Sequence, residues 1–253
     1  MPGDWKPILV VVAHPDDETI GTAVQLARWD PSRVTLVHVT DGCPRHIDDA
    51  ADHGFKTFDD YVHERRRELY AALDVVGIRP DQCMLFKYHD QEAHLNLVEL
   101  TQRLRALMLE LQPGSIYTHP YEGGHPDHDS TAFAVAQAAA KCPIMEFTSY
   151  HAGPNGLVTG EFLNGGETET LEPTPEELEE KRKMFACFHS QQKVLSMFEP
   201  GREKFRPAPA YDFSQPPHPG RLHYESLGWD ITGEQWRAQA AEALELLNKQ
   251  RDV

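Results

Sequence analysis

Short β-branched runs alternate with amphipathic helical stretches along the first 150 residues. That alternation restricts the chain to right-handed βαβ units, hence to a mainly parallel sheet covered by helices on both faces. Residues 8–13 form a continuous apolar run, the pattern of a strand buried on both faces. Ile20, Ala23, Val24 and Ala27 then recur at helical spacing, behind Asp16, Asp17 and Glu18, where the positive end of a helix dipole lies. The unit repeats. Strands are expected at 34–39, 82–86, 115–119 and 144–150, and helices at 61–76, around Leu97 to Leu111, and at 127–140. The fold class is therefore α/β, with an open, Rossmann-like sheet and an active site at the carboxyl ends of its strands.

Beyond 150 the pattern weakens. Residues 157–163 read as a short antiparallel or edge strand, and Thr174-Pro-Glu-Glu177 is a helix start running to about Phe188. Residues 200–227, rich in Pro, Tyr and His without a period, read as an ordered loop, and Thr232 caps a last helix ending near Gln250. A chain of 253 residues with this composition makes one domain over 1–253, its core at about 5–195 and the remainder packing on it.

The net charge of −16, from 40 acidic and 24 basic residues, repels phosphate backbones and argues against a nucleic-acid partner. Four cysteines without a C-x-x-C pair disfavour a disulfide framework and a thiolate zinc site. The N-terminus, Met1 to Lys6, leads into an apolar run too short for a signal sequence, and no stretch could span a bilayer. The reading is of a soluble, cytoplasmic protein with no integral membrane segment; a homo-oligomer is left open.

Two clusters carry chemistry. His14-Pro-Asp-Asp-Glu18 follows the first strand, and Gly123-Gly-His-Pro-Asp-His-Asp129 follows the fourth. Each alone has a bland reading, in which Asp16 or Asp17 caps one helix and Asp127 the other. Two His/Asp clusters on one rim of one sheet point instead to a metal site. Hydrolytic zinc sites take three imidazole or carboxylate ligands and leave a fourth position for water. A carboxylate beside the ion accepts the water's proton, and an imidazole stabilises the oxyanion or protonates the leaving amine; Asp16 and His125 are candidates for these roles. Signatures of phosphate loops, serine hydrolases, zincins and dinucleotide-binding turns are missing, so water is the expected nucleophile.

The two motifs, in this order, resemble those of the PIG-L/LmbE-like N-acetylglucosaminyl deacetylases. The resemblance implies that His14, Asp17 and His128 hold zinc, that Asp16 is the general base, that His125 is the electrostatic or acid partner, and that Asp127 orients an active-site imidazole. Thr40-Asp-Gly42, the helix pattern Arg65 to Glu68 and His189-Ser-Gln191 extend it over about the first 200 residues. By position, Arg65 and Asp90 resemble contacts to substrate hydroxyls. The implied activity is removal of an acetyl or other acyl group from an N-acetylglucosamine-type amino-sugar conjugate, a small molecule. Alternatives are hydrolysis of another amide or ester in a sugar or thiol conjugate, or a non-catalytic sugar-binding role. Zinc is the implied ion, and iron(II) accepts the same ligands.

Overall fold

β1 (Ile8–Val12) is fully buried, and its alternating side chains enter two different cores: Leu9 and Val11 pack on one face of the sheet, Val10 and Val12 on the other. This is why the run carries no polar residue. The computed structural model describes residues 5–45 and 47–251, so Met1 to Asp4 of the expected leaderless N-terminus lie outside the described residues.

The elements that follow are α1 (Asp17–Arg28), β2 (Val34–Pro44), α2 (Ile47–Asp52), α3 (Phe58–Asp74), β3 (Cys83–Asp90), α4 (Leu97–Leu111), β4 (Ser115–Thr118), α5 (Pro126–Ala138) and β5 (Ile144–Phe147). Next come β6 (Tyr150–Gly153), β7 (Gly156–Thr159), β8 (Glu169–Leu171), α6 (Pro175–Cys187), α7 (Gln192–Leu195), β9 (Glu203–Pro207), α8 (His223–Ser226) and α9 (Gly233–Arg251). The main sheet has the order β3-β2-β1-β4-β5-β9-β8. β1 to β5 are mutually parallel, and β9 pairs antiparallel with β5 and β8. Strand order reverses between β1 and β4, which creates the crevice at their carboxyl ends where ligands of open α/β sheets bind.

Leu100 and Leu104 of α4, Phe133 of α5 and Trp236 and Leu247 of α9 fill one face. Val24 of α1, Leu69 of α3 and Met184 of α6 fill the other. The cap of α6 forms as expected, with Thr174 and Glu177 bonding each other's backbone N–H.

The structure corrects the expectations in three places. The strand expected at 144–150 stops at Phe147, and Tyr150 begins a separate hairpin with β7, which takes up the first part of the strand expected at 157–163. β2 continues past Val39 to Pro44. The segment read as a loop at 200–227 contains β9, a member of the main sheet, and the short α8. Among the described residues, no helix is long and apolar enough to cross a membrane.

Candidate active site

The turn from β1 into α1 is strained at one residue. Asp16 has φ 137°, a backbone region that side chains rarely adopt, and its side chain makes no helix-cap bond. Glu18 holds this turn: its carboxylate accepts from the Asp16 N–H at 3.1 Å and lies 3.0 Å from His38 Nε2. Strain of this kind costs about 1–3 kcal/mol and persists only where the surroundings enforce it. At the start of α5 the cap is the His125 ring, whose Nδ1 accepts from the Asp127 N–H at 3.1 Å. Neither bland reading therefore holds for Asp16 or Asp127.

Three of the expected ligands converge. His14 Nδ1 lies 3.2 Å from Asp17 Oδ2, His128 Nε2 lies 3.2 Å from Asp17 Oδ1, and the two ring nitrogens are 3.3 Å apart. Donors around one tetrahedral zinc, each about 2.0–2.2 Å from the ion, stand about 3.3–3.5 Å from one another. The carboxylate on its far side fixes the tautomer of His14, and a hydroxyl able to accept an N–H faces the far side of His128. His14 Nε2–H donates to Asp127 Oδ2 at 3.2 Å, and His128 Nδ1 pairs with Ser149 Oγ at 3.3 Å. Each ring then turns a lone pair inward beside the Asp17 carboxylate. Lone pairs so placed repel one another unless a cation lies between them, so the residues fit a divalent metal.

The charges agree. Burial penalises a cationic His14, yet Asp90, Asp17 and Asp127 outweigh it and hold His14 well above the usual imidazole range. Burial works against ionised Asp17, yet His128, His119 and His14 hold its carboxyl well below the usual range. The cluster is a buried seat for positive charge.

Asp127, expected to orient an active-site imidazole, is fully buried. Its carboxylate accepts the backbone N–H of Gln91 at 2.6 Å and of Ala93 at 3.0 Å as well as the His14 ring. His14, Asp90, His125 and Asp127 form a second close group of ligand-type atoms. His125 does not suit metal binding there. Its Nδ1 lone pair is taken by the Asp127 N–H, so Nε2 keeps its proton and faces Asp90 Oδ1 at 3.5 Å. Burial, reinforced by His14, holds the His125 pKa well below the usual range, so the ring presents a neutral N–H donor.

Arg65 lies beside Asp16, its two terminal guanidinium nitrogens 3.3 Å from Asp16 Oδ2, and its side chain is only 2% exposed. Burial pushes the Asp16 carboxyl up to about 7, against the pull of Arg65 and with the push of Asp17. Asp90, at 13% side-chain exposure, is the more open of the two residues expected to meet substrate. Glu68, which shares the helix pattern with Arg65, accepts from the Ser190 N–H and hydroxyl at 2.8 and 2.6 Å and so anchors His189-Ser-Gln191.

Sequence reasoning missed two groups. His119, at the end of β4, stacks on His128 at 3.9 Å with its Nε2 3.3 Å from Asp17 and 3.1 Å from the Ala13 N–H it accepts. Burial and then His128 lower it to about 4, so it stays neutral and packs against both ligands. Its position on the same rim as His14 was the available signal. Tyr150, at the start of β6, sets its ring edge-on to His128 at 5.2 Å, and no local pattern marks it. The C-terminal segment roofs the second motif. Trp229 meets the His125 ring at 4.7 Å, the His223 N–H donates to Gly123 O at 2.9 Å, and a side chain at Gly123 would strike Leu222.

Comparison with known proteins reinforces the motifs. The profile of the family described as PIG-L, GlcNAc-PI de-N-acetylase, matches residues 9–139, just over half of the chain. The Bacillus cereus protein named Probable N-acetyl-alpha-D-glucosaminyl L-malate deacetylase 2 is 26% identical over 149 residues, 58% of this chain and 67% of that protein. A 1D-myo-inositol 2-acetamido-2-deoxy-alpha-D-glucopyranoside deacetylase of a Nocardioides species is 30% identical over 173 residues, 55% of this chain and 56% of that one. The chain thus spans between about half and two thirds of the length of these relatives. A deacetylase of the teicoplanin biosynthetic pathway has the same fold, with TM-score 0.64 and 23% identity over 80% of this chain and 97% of that one. So does a 4-carboxy-2-hydroxymuconate hydratase of Pseudomonas putida, at TM-score 0.55 and 15% identity over 82% and 98% of the two chains. The architecture therefore carries more than one chemistry, and the site residues must decide between them.

Proposed function

This chain belongs to the PIG-L family, and from that premise we propose that it is a metal-dependent hydrolase that removes an acetyl group from an N-acetylglucosamine-type conjugate. The observation that carries the reading is the convergence of His14 Nδ1, Asp17 and His128 Nε2 at 3.2–3.3 Å from one another, with the strained Asp16 beside them. A divalent cation held there supplies a polarised carbonyl and a water acidic enough to ionise near neutral pH. Zinc suits the two imidazoles and one carboxylate, and iron(II) is accepted by the same set.

The chain's own groups do the rest. Asp16 takes the proton of the attacking water, since it is a carboxylate drawn toward neutral pH and adjoins the ligand Asp17. His125 offers its Nε2–H as a hydrogen bond to the oxygen that gains charge, and in the collapse of the tetrahedral species the proton taken up by Asp16 passes to the departing nitrogen. Asp127 holds His14 in its ligating tautomer through the 3.2 Å contact. Asp90 meets a sugar hydroxyl at the more open side of the pocket, while Arg65 keeps Asp16 charged and in place.

The test is an Asp16→Asn variant assayed on N-acetylglucosamine conjugates and O-acetylated sugars, scoring free amine against free hydroxyl. The wild type should release acetate and amine, and the variant should keep its metal and lose about 10²–10⁴-fold in turnover. Unaltered turnover in Asp16→Asn would remove Asp16 as the base. Free hydroxyl without free amine would transfer the reading to esters.

A further inference from the structure

The family profile ends at residue 139, and Tyr150 lies beyond it. Its backbone position is fixed by close packing, since a side chain at Gly124 would come within 2.0 Å of the Tyr150 carbonyl oxygen. Only glycine at 124 lets the second motif lie this close to β6. The ring is held by three aromatic neighbours: His128 at 5.2 Å, Phe198 at 5.9 Å and His223 at 5.7 Å. The orientation of the phenol is therefore set by packing, while the hydroxyl itself makes no hydrogen bond among the described residues. The ring contact with His128, one of the three converging ligands, and the close approach to Gly124 of the second motif set the phenol beside the candidate site. A tyrosine hydroxyl is protonated at neutral pH and can donate one hydrogen bond. An unpaired donor on a ring packed against a candidate metal ligand is arranged for an acceptor that the protein does not itself supply.

We propose that Tyr150 is a catalytic residue whose hydroxyl donates a hydrogen bond to the scissile carbonyl oxygen as that oxygen gains negative charge. It acts with the Nε2–H of His125. No proton leaves the phenol: water adds to the carbonyl carbon, Asp16 takes the water's proton, and the C–N bond breaks as Asp16 returns that proton to the departing amine. The inference rests on the hydrolytic reading above and adds a donor from outside the two motifs.

The experiment compares wild type and Tyr150→Phe, both loaded with zinc, for kcat, KM and bound metal on the conjugate that the wild type turns over best. Phenylalanine keeps the ring and its packing. Loss of one donor aimed at the developing oxyanion should lower kcat about 10²–10³-fold, with KM changed less than threefold and metal content unchanged. Wild-type kcat in Tyr150→Phe would overturn the proposal. A raised KM with normal kcat would overturn it by making Tyr150 a ground-state contact, and parallel loss of metal would overturn it by making the residue structural. Failure of the wild type to release acetate from any substrate is a separate result, which refutes the hydrolytic reading itself.

Discussion

Asp16 combines two unfavourable circumstances that a helix cap or surface carboxylate would not tolerate: φ of 137° and burial to 5% exposure. Arg65 makes the second tolerable. As the proposed base, Asp16 works as its carboxylate, so activity should rise with pH through the Asp16 pKa. Burial, with Asp17 and Glu18, drives that pKa up, and Arg65 opposes the drive. A cation on Asp17 would oppose it further, moving the acid limb of the metal-loaded protein to lower pH. Arg65→Met removes the opposing charge and should move the acid limb of kcat/KM to higher pH in the metal-loaded protein. An unmoved limb would show that Arg65 does not govern the base. His14, Asp17 and His128 were legible because each stands in a dense motif directly after a strand. Arg65 was read as a contact to substrate hydroxyls, and its pairing with Asp16 was not legible because that partner lies 49 positions away. His119 and Tyr150 are single residues whose meaning depends on tertiary placement, and neither carried a local signal strong enough to act on.

The same limit appears among the elements. β1 to β5 could be read from apolar runs, because a strand buried on both faces needs them. β9 could not, because buried charge interrupts its pattern: Glu203 and Arg206 are 2% and 7% exposed. Arg206 is paired with Glu146 at 2.8 Å, and Glu203 with Lys181 at 2.8 Å. Glu203 also accepts the backbone N–H of Val24 and Gln25 at 2.8 and 3.0 Å, and Lys181 donates to Ile20 O at 3.0 Å, so this pair ties β9 and α6 into the middle of α1. Lys181→Met leaves a buried carboxylate without its cation and should destabilise the fold by about 3–5 kcal/mol in urea unfolding. Burial already raises the Glu203 pKa, so its protonated form favours the fold. The deficit should therefore be greatest above that raised pKa and shrink as pH falls through it. A deficit below about 1 kcal/mol at pH 8 would show that the pair is not a structural tie.

At the scale of the whole molecule, the sheet reverses its strand order at β1 and β4, and both motifs follow those strands. The α/β class and the location of the site were thus readable together from the order of elements. What was not readable is how closely the C-terminal part joins the rest. Phe213, Tyr224 and Trp236 belong to the same buried cluster as Leu9 and Val11, and Trp229 reaches His125. The roof this segment forms lies outside the family-matched region, so the shape of the substrate pocket is the part of the molecule least fixed by the two motifs. The claim on which everything else depends is that His14, Asp17 and His128 hold one catalytic cation. The most direct measurement strips the full chain with chelator, returns zinc in steps, and follows bound metal and acetate release together in the wild type and in His128→Ala. The account predicts no acetate from the stripped protein, full recovery at one equivalent, and neither tight binding nor recovery in His128→Ala. Acetate release by the stripped protein at the full rate, or full recovery in His128→Ala, would contradict it.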